Sequence, residues 1–250
     1  MTNIDIIILS YAKNEALKNT TLQAIASLLA SENPDLVKFN IIVIESNKLL
    51  APFQYPESKT IYPDQEFGFH KYLNIGIAST QNELICFCNN DLIFHKGWAT
   101  AILESISVDP TIKSFGLFCP KFHFEKTEVE KKSINYGYEN GTFFTGWCFL
   151  VKREVFKSTG LFDERFKFWF CDDDFRLTLQ KHKIKNALIR DARVTHLTSE
   201  TLANESDYKK TYLKYISFAL YKYKWQHHNL MVYLFERLKY KLKILYAKFG

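Results

Sequence analysis

An α/β protein is predicted from the sequence, with a mostly parallel central sheet flanked by helices and a basic helical extension at its C-terminal side. Three observations carry this expectation. Unbroken apolar runs of strand length, such as IIIL, IIVI and LICFC, alternate with segments whose apolar residues recur at helical spacing, which is the βα rhythm of a parallel sheet. Several of those runs stop abruptly on polar groups, at the edge where open α/β sheets bind ligands. The charge is also segregated. From Glu205 onward ten Lys and Arg stand against three acids, a balance of +7, while the other 23 basic and 24 acidic residues give −1.

Taken in order, Ile4 to Tyr11 reads as a buried strand and Ala16 to Ala30 as its helix, after the polar break Lys13-Asn14-Glu15. Pro34-Asp35 marks a turn before a second buried strand, Phe39 to Ile44, which ends at Glu45-Ser46-Asn47. Ser10 and Tyr11 would then lie beside Glu45 and Asn47, where two strand ends can hold the base and ribose of a nucleotide. Ile61-Tyr62 is a short third strand, and Gly68 opens a helix that presents Lys71 and Asn74 toward the same edge, Lys71 offsetting phosphate charge. Leu84 to Cys88 is the central strand. It ends at Asn89-Asn90-Asp91, a hard-oxygen set suited to a divalent cation and equally to an Asx-turn or cap.

Beyond it, Trp98 to Ser107 is a helix and Lys113 to Cys119 a strand. Residues 121–140 are charged and rich in turn residues, the composition of a mobile lid. Phe143 to Val151 reads as a strand with Gly146 at its middle, where a missing side chain admits a ligand or another backbone. Asp172, Asp173 and Asp174 open a helix after the aromatic run Trp169-Phe170. Acids suit a first helical turn, but a carboxylate against apolar walls can also serve as a general base. Ala187 to Val194 is a last strand, and it delivers His196 as a second metal ligand for Asp91. The five cysteines sit in apolar runs and read as small buried hydrophobes of a reducing compartment.

The order of these segments resembles the family 2 glycosyltransferases with the GT-A (Rossmann-like) fold, from Ile4 to Thr201. The resemblance rests on strand-SY, strand-ESN, FGFHKYLNIG, strand-NND, FFTGWCFLV, GLFDERFKFW, CDDDF and VTHLTSET. It implies a catalytic domain over 1–203 and an extension over 204–250. It implies an inverting transfer of a hexosyl or pentosyl group from a nucleotide sugar, a UDP-sugar first, with Mn²⁺ or Mg²⁺ as cofactor. NND matches the family's DxD element, with Asn90 near ribose or phosphate and Asp91 on the metal. CDDD matches its ED segment, so Asp172 is the base, with Asp173 as the alternative register. His196 matches its late metal-binding histidine, while Gly68, Asn74, Gly146 and Trp147 fall in its donor-binding motifs. Two departures stand out: Asn occupies the first acidic position of NND, and Cys171 replaces the glutamate before the base. They keep open a non-catalytic nucleotide-sugar-binding protein.

The basic, tyrosine-rich tail bears on the acceptor. A helix with Leu and Phe on one face and Lys on the other suits an anionic membrane surface, and with it a surface polysaccharide or lipid-linked saccharide. The same cations suit nucleic acid, and KFW-CDDDF and HLTSET resemble phage transferases that glycosylate modified cytosine in DNA. A solvated face packed on the catalytic domain is the third reading. The first eleven residues are too short an apolar run for a secretory signal or a membrane span. The expected location is the cytoplasm, at the inner membrane face or, for a phage-encoded chain, in the host.

Overall fold

The structure, a computed structural model, describes residues 1–123, 131–197 and 206–249. Its first half follows the expected rhythm. Strand β1 (Thr2–Ser10) leads to helix α1 (Glu15–Leu29), which Asn14 caps by accepting a hydrogen bond from Leu17 N at 2.9 Å, and then to β2 (Val37–Glu45). A short β3 (Lys59–Ile61), α2 (Phe69–Ala78), β4 (Leu84–Asn89), β5 (Leu92–Phe94) and α3 (Trp98–Val108) follow. Helix α2 lies so close to the sheet that a Cβ on Gly76 would stand 2.5 Å from Ile7 Cγ2, so this contact needs the glycine.

The second half holds β6 (Ser114–Phe118), α4 (Pro120–His123), β7 (Ile134–Tyr136), β8 (Cys148–Lys152), α5 (Val155–Thr159), α6 (Cys171–Lys181) and β9 (Asn186–His196). The sheet order is β3-β2-β1-β4-β8-β6-β9-β5, with β7 also paired to β9. Strands β3-β2-β1-β4 are parallel, as is β6 with β9. The pairs β4-β8, β6-β8, β5-β9 and β7-β9 are antiparallel, so the sheet is mixed. The expected strand over 143–151 accounts for part of this. Phe143 to Trp147 is instead a turn at the ligand edge, pinned there by Asn89 N donating to Trp147 O at 2.9 Å. The chain therefore enters β8 from the top and must run downward.

The excursion expected over 121–140 is more ordered at both ends than its composition suggests, since α4 and β7 lie within it; its residues 124–130 lie outside the described residues. All five cysteines are buried and free, as small core residues. At the bottom of the sheet the buried Asp5 accepts from Asn40, Asn82 and Arg153 (2.9 Å), a charge kept inside only because it is fully paired. The bottom edge thus closes the sheet while the top is left for chemistry.

Two helices complete the chain, α7 (Asp207–Lys222) and α8 (Leu230–Phe249), joined by a π turn at Tyr223–His227. Helix α7 packs on the body: Leu220 joins Phe166 and Cys171 in one apolar cluster, and Ser217 Oγ accepts from Lys167 N at 3.1 Å. The boundary expected at 203/204 lies outside the described residues.

Candidate active site

The register of the sheet sets Ser10 opposite Glu45 and Leu9 opposite Asn89, so three strand ends meet at one edge. There the structure gives two expected donor-binding residues another task. Glu45 is fully buried, its Oε1 accepting from Ala12 N (3.1 Å) and Asn47 N (2.7 Å) and its Oε2 from the Tyr55 hydroxyl (3.1 Å). A carboxylate out of water takes every donor within reach, so it brackets the two strand-end loops instead of facing a ligand. Asn47 likewise donates to Ala12 O and accepts from Leu49 N. The Ser10 hydroxyl shares bonds with Thr21 and Tyr55, and Asn90 donates to Thr21 Oγ1 at 2.8 Å. Burial pushes the Tyr55 hydroxyl up to about 12, keeping it a neutral donor. Tyr11 is half-buried, with the ammonium groups of Lys13 and Lys209 over its ring at 5.8 and 5.5 Å.

The pairing of β5 with β9 places Leu92 opposite His196 and so brings Asp91 to the histidine expected to share its metal. Asp91 Oδ2 lies 3.3 Å from His196 Nε2, both groups being largely buried. Asp91 Oδ1, His196 Nε2 and the indole Nε1 of Trp147 are buried without a hydrogen-bond partner, and Trp147 stacks on His196 at 5.2 Å. Burying three such atoms with no hydrogen bond, and only the Asp91–His196 contact between them, is costly, which is the pattern of a site that an incoming group completes. A carboxylate oxygen and an imidazole nitrogen fit Mn²⁺ or Mg²⁺, provided that diphosphate oxygens and water supply the rest. Among the described residues no group of three His, Cys, Asp or Glu side chains is gathered for a metal.

On the other side of Trp147 opens a cavity of about 370 Å³, lined by Asn89, Asn140, Gly146 and Asp172 and by the aromatic rings of Phe69, Phe122, Phe168 and Trp169. Successive residues of a helix project about 100° apart, so the three aspartates of α6 face three ways. Asp172 faces the cavity, with Asn140 Nδ2 donating to its Oδ2 at 2.9 Å. Gly146 is the cavity wall against it: a Cβ there would stand 2.6 Å from Asp172 Cβ. Asp173, the alternative base, does not line the cavity and accepts from Arg176 Nε at 2.8 Å. Asp174 is buried and points to the tail, bonded to Lys224 Nζ (2.9 Å) and Trp225 Nε1 (2.7 Å).

The start of α6 is braced from two directions. The buried His70 ring lies 3.0 Å from both the Asp163 and Cys171 carbonyl oxygens. Phe170, just before the helix, has φ +68, a left-handed conformation costly for a bulky residue, and it is clasped by Phe218 and Tyr221 of α7 at ring distances of 5.1 and 4.8 Å.

One expectation on α2 is corrected. Asn74 is buried, accepting from Phe162 N and donating to Phe162 O and Glu164, so it fastens the 160–164 turn and does not face the ligand edge. Gly68 caps α2 beside Lys71 and Lys167, and neither Gly68 nor Lys71 lines the cavity. Thr21, Tyr55 and Asn140 were not anticipated, whereas Trp169 belongs to the aromatic run expected to wall the acids. Only Asn140 carries a local signal, the Asn-Gly pair of a turn.

No curated protein matches the chain in sequence. Among solved structures it is similar to GalNAc-T7 with UDP, GalNAc and Mn²⁺, at 15% identity and TM-score 0.63, over 96% of this chain and 55% of that one. It is similar to S. aureus TarS at 14% identity and TM-score 0.61, over 95% of this chain and 43% of that one, so it spans about half the length of either. A third likeness is the mannosyltransferase PcManGT from Pyrobaculum calidifontis in complex with GDP-Man and Mn²⁺, at 14% identity and TM-score 0.61, over 98% of this chain and 71% of that one. These likenesses establish a shared fold, the GT-A α/β architecture. The family model described as glycosyl transferase family 2 matches residues 5–160, which takes in β1 through the turn after α5 and most of the edge described above. The chain belongs to glycosyl transferase family 2.

Proposed function

We propose that this glycosyltransferase is inverting, that Asp172 is its base, and that its donor is a nucleotide sugar, a UDP-sugar first. The observation that carries the proposal is that Asp172, alone of its triplet, faces a cavity walled by Gly146 and Trp147, with His196 stacked on that tryptophan and facing Asp91, whose Oδ1 has no hydrogen-bond partner. Asp172 takes the proton of an acceptor hydroxyl, the oxygen forms its bond to the anomeric carbon, and the bond to the diphosphate breaks in line. Asn140 Nδ2 donates to one Asp172 oxygen and Asp173 N to the other, at 2.9 Å each, which fixes the carboxylate's rotamer against the cavity. A divalent cation held by Asp91 and His196 would supply charge to offset the leaving diphosphate. The acceptor we favour is a glycan of a surface polysaccharide or a lipid-linked saccharide, with modified cytosine in DNA as the alternative.

A panel of nucleotide sugars with Mn²⁺, read by release of nucleoside diphosphate, tests this. One donor should be turned over, and Asp172→Asn should lower that rate roughly 10² to 10⁴-fold while leaving donor affinity within a few fold. Tight binding with no turnover of any donor would favour a binding protein. If Asp173→Asn were instead the damaging change, the assignment of the base would fail.

A further inference from the structure

Helix α8 reverses the usual pattern of a surface helix. It packs toward the body through Tyr233, Glu236, Tyr240 and Ile244, the spacing of one helical face. The opposite face, where a solvated helix carries its charges, is apolar: Met231 is 75% exposed, Phe235 70%, and Leu238 and Leu242 58% each, with Leu234 and Leu245 on the same side. At about 100° per residue the exposed cations fall on the two margins of this stripe, Lys239 and Lys243 along one, Arg237 and Lys241 along the other. The only acid in the helix, Glu236, faces inward and is paired with Lys222 and His227. No helix among the described residues is long and apolar enough to cross a membrane.

We propose that this face lies in the headgroup layer of an anionic phospholipid surface, with the helix axis parallel to the membrane and the margin cations on lipid phosphates. The inference stands apart from the sugar-transfer reading and holds whether or not that reading does. A lipid surface is the occupant that uses both parts of the pattern. A second copy would bury the stripe, but pairing two such helices sets basic margin against basic margin with no acid to answer them. Duplex DNA would use the cations and leave the largest exposed apolar residues in water.

The test is flotation of the full chain with phosphatidylcholine vesicles with and without phosphatidylglycerol. Binding is expected only with phosphatidylglycerol. It should fall roughly a hundredfold in Leu238→Ser/Leu242→Ser, from the lost apolar burial, and roughly fivefold for each of Lys239→Gln, Lys241→Gln and Lys243→Gln. Both leucines are exposed, so the double variant should melt as the parent does, and nucleoside diphosphate binding should be unchanged in it. Three results would overturn the proposal: no flotation with either vesicle, flotation indifferent to the leucine changes, or a sedimentation dimer that the leucine changes disperse. A shift of duplex DNA that survives the leucine changes, without flotation, would assign the face to nucleic acid.

Discussion

Replacing Gly146 by alanine tests the placement of Asp172 without touching any polar group. The glycine's backbone is not in the left-handed region, so a methyl costs nothing locally. Its cost is contact: the new Cβ would stand 2.6 Å from Asp172 Cβ and 3.4 Å from Oδ2, whereas carbons settle at about 3.5 to 4.0 Å. One of the two must retreat by about 1 Å. Asp172 sits in the first turn of a helix braced by His70 and Phe170, so the turn holding Gly146 and the carboxylate rotamer share the shift. A misplacement of about 1 Å of a reacting group costs on the order of 10²-fold in rate. Overpacking of one methylene costs about 1–3 kcal/mol, roughly a few degrees in Tm for a chain of this size. The expected variant is folded, binds nucleoside diphosphate as the parent does, and releases product about a hundredfold more slowly. Full turnover in Gly146→Ala, alongside an inactive Asp172→Asn, would refute the geometry argued for the base.

Other outcomes follow from the same structure. Asp91→Asn, or EDTA, should weaken nucleoside diphosphate binding measured by calorimetry while the melting temperature holds; unchanged affinity in both would remove the metal role from Asp91 and His196. Lys224→Met leaves the buried Asp174 and the largely buried Asp163 short of a cation. Breaking such a pair costs about 3 kcal/mol or more, and melting should fall by roughly 6–12 °C. Burial pushes the Asp163 carboxyl up, but Arg165 and Lys224 outweigh it and hold it well below the usual carboxylate range. Its folded value is therefore depressed, so the stability it adds is present above the unfolded value and drains away as pH falls below about 5. Melting curves through that range should show the loss, and Asp163→Asn should flatten it.

The rhythm of strands was legible because buried strands write themselves as apolar runs, and the meeting of the β1 and β2 ends followed from the polar groups on which both runs stop. The direction of β8 was not, since an apolar run reads alike both ways, and only the turn at Phe143–Trp147 decides it. Asp91 and His196 were legible at strand ends and Asp172 at a helix start, where the structure places them, whereas Gly146 was expected inside a strand and lies in the turn before β8. Glu45 and Asn74 were misplaced for one reason. A lone polar residue at an element's end looks the same in sequence whether it faces a ligand or bonds its neighbours, and the deciding partners, Ala12, Tyr55 and Phe162, come from remote segments. The inward anchoring of the tail was equally hidden, because Lys224 and Trp225 meet Asp174 only through the fold.

The clasp on Phe170 bears on how this protein can be taken apart. A left-handed phenylalanine one residue ahead of α6 is packed against Phe218 and Tyr221, and the same segment supplies the cation that pairs with Asp174 and the indole that donates to it. A chain cut before α7 would free that backbone to relax and leave a carboxylate stranded two positions from Asp172. The C-terminal hairpin is therefore no removable accessory. Swapping it for another protein's tail, or trimming it to improve expression, would alter helix α6 before it altered anything outside the molecule.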